Sequence, residues 1–365
     1  MKIKKTILLV ACIAILAVSS ACSKDDNNSK KVAATTSAQT TTVATLPLQT
    51  NAPKVTENED EPEPEGIYNN LSGLYNLSEQ GEGKRPVAVM VNNIKASLPQ
   101  YGTYGADIMF ECPVEGGITR LMAIYADYST VPNICSTRSC RYYYPIFAQG
   151  YDAIYFHHGY EAESANTLKS IDHFDGLYNG TLFQRDKTRV NYAMEHTSFL
   201  KGSAIVSEIN RVGMRSNLSD SYNSPVFNFV KKADVVSETK CTQATIKFSN
   251  AYYSTFTYDE GTKTYKKQHS GQPHMDTAVN KQLEYTNVFY LETTTSVFNQ
   301  SKGYMDLDWK GGNGYYISNG TIIAIKWSKP TEKSQIKLTT NDGEELKVNP
   351  GNSYMGFSNK NTLSY

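Results

Sequence analysis

Between Arg85 and Tyr160 the chain carries four strand-sized runs that are apolar at consecutive positions, a pattern that restricts its fold more than any other feature. They run from Val87 to Val91, Ile108 to Phe110, Leu121 to Tyr125 and Ala153 to Phe156. A strand with one wet face alternates apolar and polar residues, whereas a run apolar on both faces belongs to a sheet covered on both sides. Each run leads into residues able to recognise or react: Asn92 and Asn93, Glu111 and Glu115, Arg120, Arg138 and Arg141, His157 and His158. Loops held by the ends of a buried sheet are where sites form.

Helical signals lie between these runs. Ser139 to Gln149 keeps Tyr143, Ile146 and Phe147 in helical register, with Pro145 shortening the element. Glu161 to Ile171 places Ala165, Leu168 and Ile171 on one side. Thr197 or Ser198 is placed to cap a helix through Phe199, Ile205, Val206 and Ile209 that Gly213 ends. From Ala244 to Val348 the pattern changes to short alternating runs separated by Glu260-Gly261, Asn319-Gly320 and Asp342-Gly343, the dipeptides of tight hairpins. The expected class is α+β: an N-terminal α/β-type domain with a mostly buried sheet, then a mainly antiparallel β domain.

The start of the chain carries an export signal. Lys2, Lys4 and Lys5 precede an apolar core from Ile7 to Val18, and Ser19, Ser20 and Ala21 lead to Cys22, the pattern of a lipobox with Cys22 as the lipidated residue. Residues 23–66 are Ser/Thr-rich, then Pro/Glu-rich, too polar to offset their ordering entropy. As a flexible tether they reach roughly 35–40 Å. The domains are expected at 67–234 and 235–365. Such a chain sits on the extracytoplasmic face of the bacterial cytoplasmic membrane. With 36 basic and 36 acidic side chains the net charge is zero, so the drive for general nucleic-acid binding is missing. The 26 tyrosines suit β-strands and their surfaces, and also a polymer ligand.

Several motifs recur in an order that resembles the YerB-like family of bacterial lipoproteins: Arg85-Pro86, Val114 to Arg120, Arg138 to Arg141 and His158-Gly159 in the first half. His274 to Asp276, Asn287-Val288, Gly312 to Gly314, Trp327 to Lys329 and Asn349 to Gly351 extend it through the second. The resemblance implies two domains, the first a sandwich of sheets with a helical layer. It implies no established activity.

The chemistry-bearing residues give two readings. Arg120, Arg138 and Arg141 have planar guanidinium forks that match carboxylate or phosphate oxygens. With Asn92, Glu111, Glu115 and His158 they form a candidate ligand site for an anionic envelope component, or for a membrane protein partner. Alternatively Glu111 and Glu115 pair with Arg120 and Arg138 as a buried charge network. The enzymatic alternative makes Glu111 or Glu115 the acid or base acting on a wall glycan or glycopolymer, with His158 or His196 assisting. Cys112, Cys135, Cys140 and Cys241 remain for the folded part, and an oxidising compartment predicts at least one disulfide, with the pairing open. No metal or cofactor is expected: the histidines lack ligand spacing, and His274 and Asp276 share a strand face, where a hydrogen bond between them is expected.

Overall fold

The computed structural model describes residues 64–365, so the export signal, Cys22 and nearly all of the tether lie outside the described residues. The described part has an α+β architecture of many strands and few helices. Its spine is a mixed ten-stranded sheet to which each half of the chain gives five strands. The first half supplies β1 (Val87–Asn92), β2 (Ile108–Pro113), β3 (Thr119–Tyr125), β4 (Ile154–His157) and β5 (His173–Asp175). A second sheet contains β6 (Gln243–Lys247), β7 (Tyr253–Asp259) and β8 (Thr264–His269). The spine resumes with β9 (Asn287–Thr293), β10 (Gly311–Ser318), β11 (Thr321–Ser328), β12 (Lys337–Thr340) and β13 (Ser353–Asn359). Across the spine the order is β12-β11-β10-β9-β13-β2-β3-β1-β4-β5.

Strands β1 to β4 are buried at every residue, as their uninterrupted apolar runs predict. Alternate residues feed two cores. Ala88, Met90, Phe110, Cys112, Met122 and Tyr155 face one, together with helix α1 (Tyr143–Gln149) and Leu168 of α2 (Ser164–Leu168). Val87, Val89, Met109, Leu121, Ala123 and Phe156 face the other, against the second sheet and helix α3 (Ile205–Arg211). Pro145 stands in the first turn of α1, where a missing N–H breaks no helical bond. The Tyr143 hydroxyl donates to Pro113 O at 2.6 Å and the Tyr144 hydroxyl to Arg120 O at 2.7 Å, fixing α1 under β2 and β3.

Two sequence expectations are corrected here. Ser198 does not cap a helix: Ser198–Leu200 is a strand between Ile134–Cys135 and Phe183–Arg185, and α3 starts only at Ile205. Gly202 between them approaches the backbone of Val131 and Pro132 so closely that a Cβ would meet Val131 O at 1.8 Å, so tertiary contact decides this segment. The disulfide expectation also fails, since all four described cysteines are free and buried. Cys112 and Cys140 lie in the first core and Cys241 in the second, while Cys135 sits in the short strand Ile134–Cys135 that pairs with Ser198–Leu200. Burial pushes the thiols up, to about 11 for Cys135 and about 12 for Cys140 and Cys241.

Candidate functional site

Six of the seven proposed ligand-binding residues gather where the loops after β1, β2 and β4 meet. Gly116 and Gly117 take φ of +68° and +70°, a conformation that favours glycine, and turn the chain so that Glu115 faces Arg120 and Arg141. Glu115 accepts from Arg120 Nη2 at 2.8 Å and from Arg141 Nε at 2.8 Å, with a further contact from Arg141 Nη2. Arg141 also reaches Glu161 at 3.0 Å and lies 4.9 Å from the ring centre of Tyr304. Arg120 donates to Ser139 O at 2.6 Å. Both guanidiniums are buried, and their forks are largely spent inside the protein. Burial pushes the Glu115 carboxyl up, but Arg120 and Arg141 outweigh it and hold it below its ordinary value. Glu115 is therefore an ionised clamp between two arginines, with no proton to give near neutral pH.

Arg138 differs from both. It is half-buried, and among the described residues its guanidinium makes one hydrogen bond, at 3.5 Å to Glu195 O. Burial lowers its pKa, and Arg141 and Arg185 add to this against Glu195 and Glu115. The His158 backbone N–H donates to Arg138 O at 3.0 Å, and the Arg138 charge is one of those that lower the His158 pKa. His158 Nδ1 lies 2.7 Å from Ser198 Oγ, itself 2.7 Å from Thr137 Oγ1. Burial, then Arg185, keeps His158 below its ordinary pKa and neutral at pH 7. Arg185 is exposed and donates to Met194 O at 2.7 Å. Met194 and Leu177 stand exposed around this rim. Asn92 and His196 lie beneath it, joined by Nδ2 and Nδ1 at 3.0 Å.

Glu111 is not part of this gathering. It shares the β2 parity of Met109 and faces the second core, whereas Glu115 meets arginines on the side of α1. The sheet stands between the two carboxylates. Glu111 is fully buried and accepts from Asn93 Nδ2 at 3.0 Å, Thr119 Oγ1 at 2.7 Å, Ser254 Oγ at 2.9 Å and Tyr354 OH at 2.7 Å, with Lys267 Nζ at 3.3 Å. Burial pushes its carboxyl up, but Lys267 and His269 prevail and keep it ionised.

Sequence reasoning missed Lys267, buried in β8, whose ammonium lies 3.1 Å from His274 Nδ1. His274 Nε2 then meets Gln100 Oε1 at 2.9 Å. The expected His274–Asp276 bond is absent, because Asp276 instead accepts from the backbone of Thr103 at 2.6 Å and Tyr104 at 2.8 Å. Among the described residues no cluster of three or more His, Cys, Asp or Glu could hold a metal.

Comparison with known proteins places this geometry. Models of a family described as "Protein of unknown function (DUF3048)" match as its N-terminal domain over residues 71–215 and its C-terminal domain over residues 244–355. The chain belongs to this two-domain family. A Bacillus subtilis (strain 168) member named "Putative lipoprotein YerB" is 28% identical over 295 residues, covering 79% of this chain and 85% of its own length. The crystal structure of the Bacillus subtilis YerB protein superposes with a TM-score of 0.71 at 25% identity, covering 81% of this chain and 98% of that one. The DUF3048 match spans both the arginine-rich loops and the Lys267 network.

Proposed function

We propose that this chain is a membrane-anchored extracytoplasmic lipoprotein that binds an anionic cell-envelope component without turning it over. In this reading residues 1–22 direct export, Cys22 carries the lipid, residues 23–66 are the tether, and 67–234 and 235–365 are the two domains. Similarity to a protein named as a lipoprotein supports the anchoring. The observation that carries the binding site is Arg138: its donors are nearly unspent, beside Arg185 and the neutral His158, while Arg120 and Arg141 are engaged with Glu115 and Glu161. A cation drawn down by burial and by positive neighbours gains when an anion arrives, and its fork favours carboxylate or phosphate oxygens. Arg120, Arg141 and Glu115 hold the loop that presents it.

The test is sedimentation of the full-length chain in detergent with purified cell wall, with and without its anionic glycopolymer, and analysis of the supernatant for released fragments. Salt-sensitive co-sedimentation without fragments is expected, weakened about tenfold or more by Arg138→Ala, roughly 1.4 kcal/mol. Unchanged binding by Arg138→Ala, or wall fragments in the supernatant, overturns this reading.

A further inference from the structure

A second concavity lies at the opposite ends of the same strands. Arg85, Asp152 and Asp172 stand just before β1, β4 and β5 and line a polar groove of about 350 Å³. Gln149, the last residue of α1, also lines it and is 5% exposed, yet neither Oε1 nor Nε2 has a hydrogen-bond partner among the described residues. Tyr222 borders this groove and a neighbouring cavity of about 220 Å³ walled by Leu71, Leu77, Ala126 and Val226. Tyr151, 3% exposed, lines that cavity with a hydroxyl that is likewise unpartnered.

Three unpaired polar atoms within three residues of chain are costly, because buried donors and acceptors lose their hydration without compensation. The groove also carries a cationic excess. Arg215 is bound in two-point fashion to Asp152 at 2.6 and 2.8 Å, and Arg85 is occupied by Asp172 and by backbone carbonyls. Lys169 and Lys333 are exposed; Lys169 has one contact, at 3.4 Å to Asn166, and Lys333 Nζ makes no hydrogen bond or ion pair with a described residue.

We propose that this two-part concavity binds a short peptide or N-acyl amino acid that ends in a free carboxylate. The Gln149 amide offers one acceptor and one donor side by side, the complement of the N–H and C=O of a secondary amide. Lys169 and Lys333 supply the charge for the carboxylate. The apolar cavity accepts one aliphatic side chain or acyl group, with the Tyr151 hydroxyl as its polar end. A phosphate satisfies the lysines but leaves the Gln149 acceptor unused, which favours the amide-bearing anion. The site is separate from the Arg138 rim and independent of its role.

The experiment is calorimetric titration of the full-length chain in detergent with N-acetyl-leucyl-alanine, its C-terminally amidated form and inorganic phosphate. Saturable binding of the free acid is expected, weakened about tenfold or more by amidation, by Lys333→Ala, by Gln149→Met and by Tyr151→Phe. Arg138→Ala leaves it unchanged. Gln149→Met and Tyr151→Phe also raise the melting temperature of the ligand-free protein, since each removes an unpaired buried group. A purely structural pair of side chains gives the opposite sign. No saturation by the free acid, equal binding of acid and amide, or binding indifferent to Lys333→Ala overturns the proposal. Phosphate binding in place of the peptide reassigns the groove to phosphate and also overturns it.

Discussion

Glu111 and Lys267 form a buried ion pair at 3.3 Å that ties β2 of the first half to β8 of the second. Such a pair is weak evidence of net stabilisation, because both ions lose hydration, but removing one partner leaves a bare charge in the core. Glu111→Gln is therefore expected to destabilise by about 3–5 kcal/mol, read as a lowered urea midpoint with unchanged slope. The double variant Glu111→Gln/Lys267→Met is expected to recover much of that loss. A single variant with wild-type stability shows that the pair is not ionised. At this scale the sequence reveals candidates but not their partners. Glu111 stands out as a charge at the end of an apolar run, while Lys267 reads as one of several lysines in an alternating strand. The Arg120 half of the Glu115 clamp was legible as one of two readings, because Gly116-Gly117 and Arg120 are local to it, whereas its second arginine is Arg141 and not the expected Arg138. That the Arg120 and Arg141 forks are largely engaged while Arg138 keeps most of its donors follows from contacts with Glu161 and Ser139, which no local spacing announces.

Strand β13 shows where element-level reasoning stopped. Most strands of the second half were legible from alternation and from hairpin turns such as Asn319-Gly320, whose φ values of +46° and +76° suit the tight connection of β10 to β11. Ser353–Asn359 escaped because it pairs in parallel on both sides, with β9 and with β2, so no adjacent turn marks it. Its residues nevertheless split between the two cores, Tyr354 to one and Met355 and Phe357 to the other. It is the strand through which the halves share one sheet. Gly356 lies opposite Glu111 in the register, and a Cβ there would meet the Tyr354 ring at 2.9 Å and Ile246 at 3.1 Å. Any side chain displaces the tyrosine whose hydroxyl holds Glu111 at 2.7 Å. Gly356→Val is expected to cost about 1–3 kcal/mol through overpacking, measured by the same denaturation. A neutral result contradicts the packing described for this strand.

All six histidines of the chain have pKa values lowered by burial, which links the whole molecule to pH. His157 and His269 fall to about 4. When a folded-state pKa lies below its unfolded value, the unfolded chain binds more protons between the two, and stability rises with pH across that window. The loss therefore begins as pH drops through about 6.5, and for these two groups it is complete near 4, at roughly 3 kcal/mol each. Glu115 and Asp152, whose pKa values are held down by paired arginines, add their loss only at lower pH, below the ordinary carboxylate range. In the interval from pH 6.5 to 5 the histidines are opposed by Asp107: burial pushes its carboxyl up to about 6, so it gains stability as pH falls, and a variant of one histidine is needed to read its share. His269 is the informative one, because it is 2% exposed and both ring nitrogens lack hydrogen-bond partners among the described residues. Its protonation must place a second charge beside Lys267, which already lowers its pKa after burial. Replacing it by Phe removes the titration and the unpaired nitrogens together. Urea midpoints at pH 7 and pH 5 are expected to fall clearly for the parent chain, with His269→Phe reducing the slope by up to about 1.4 kcal/mol per pH unit. Equal slopes for the two proteins show that His269 is protonated alike in the folded and unfolded states, and that the second core around Lys267 admits water.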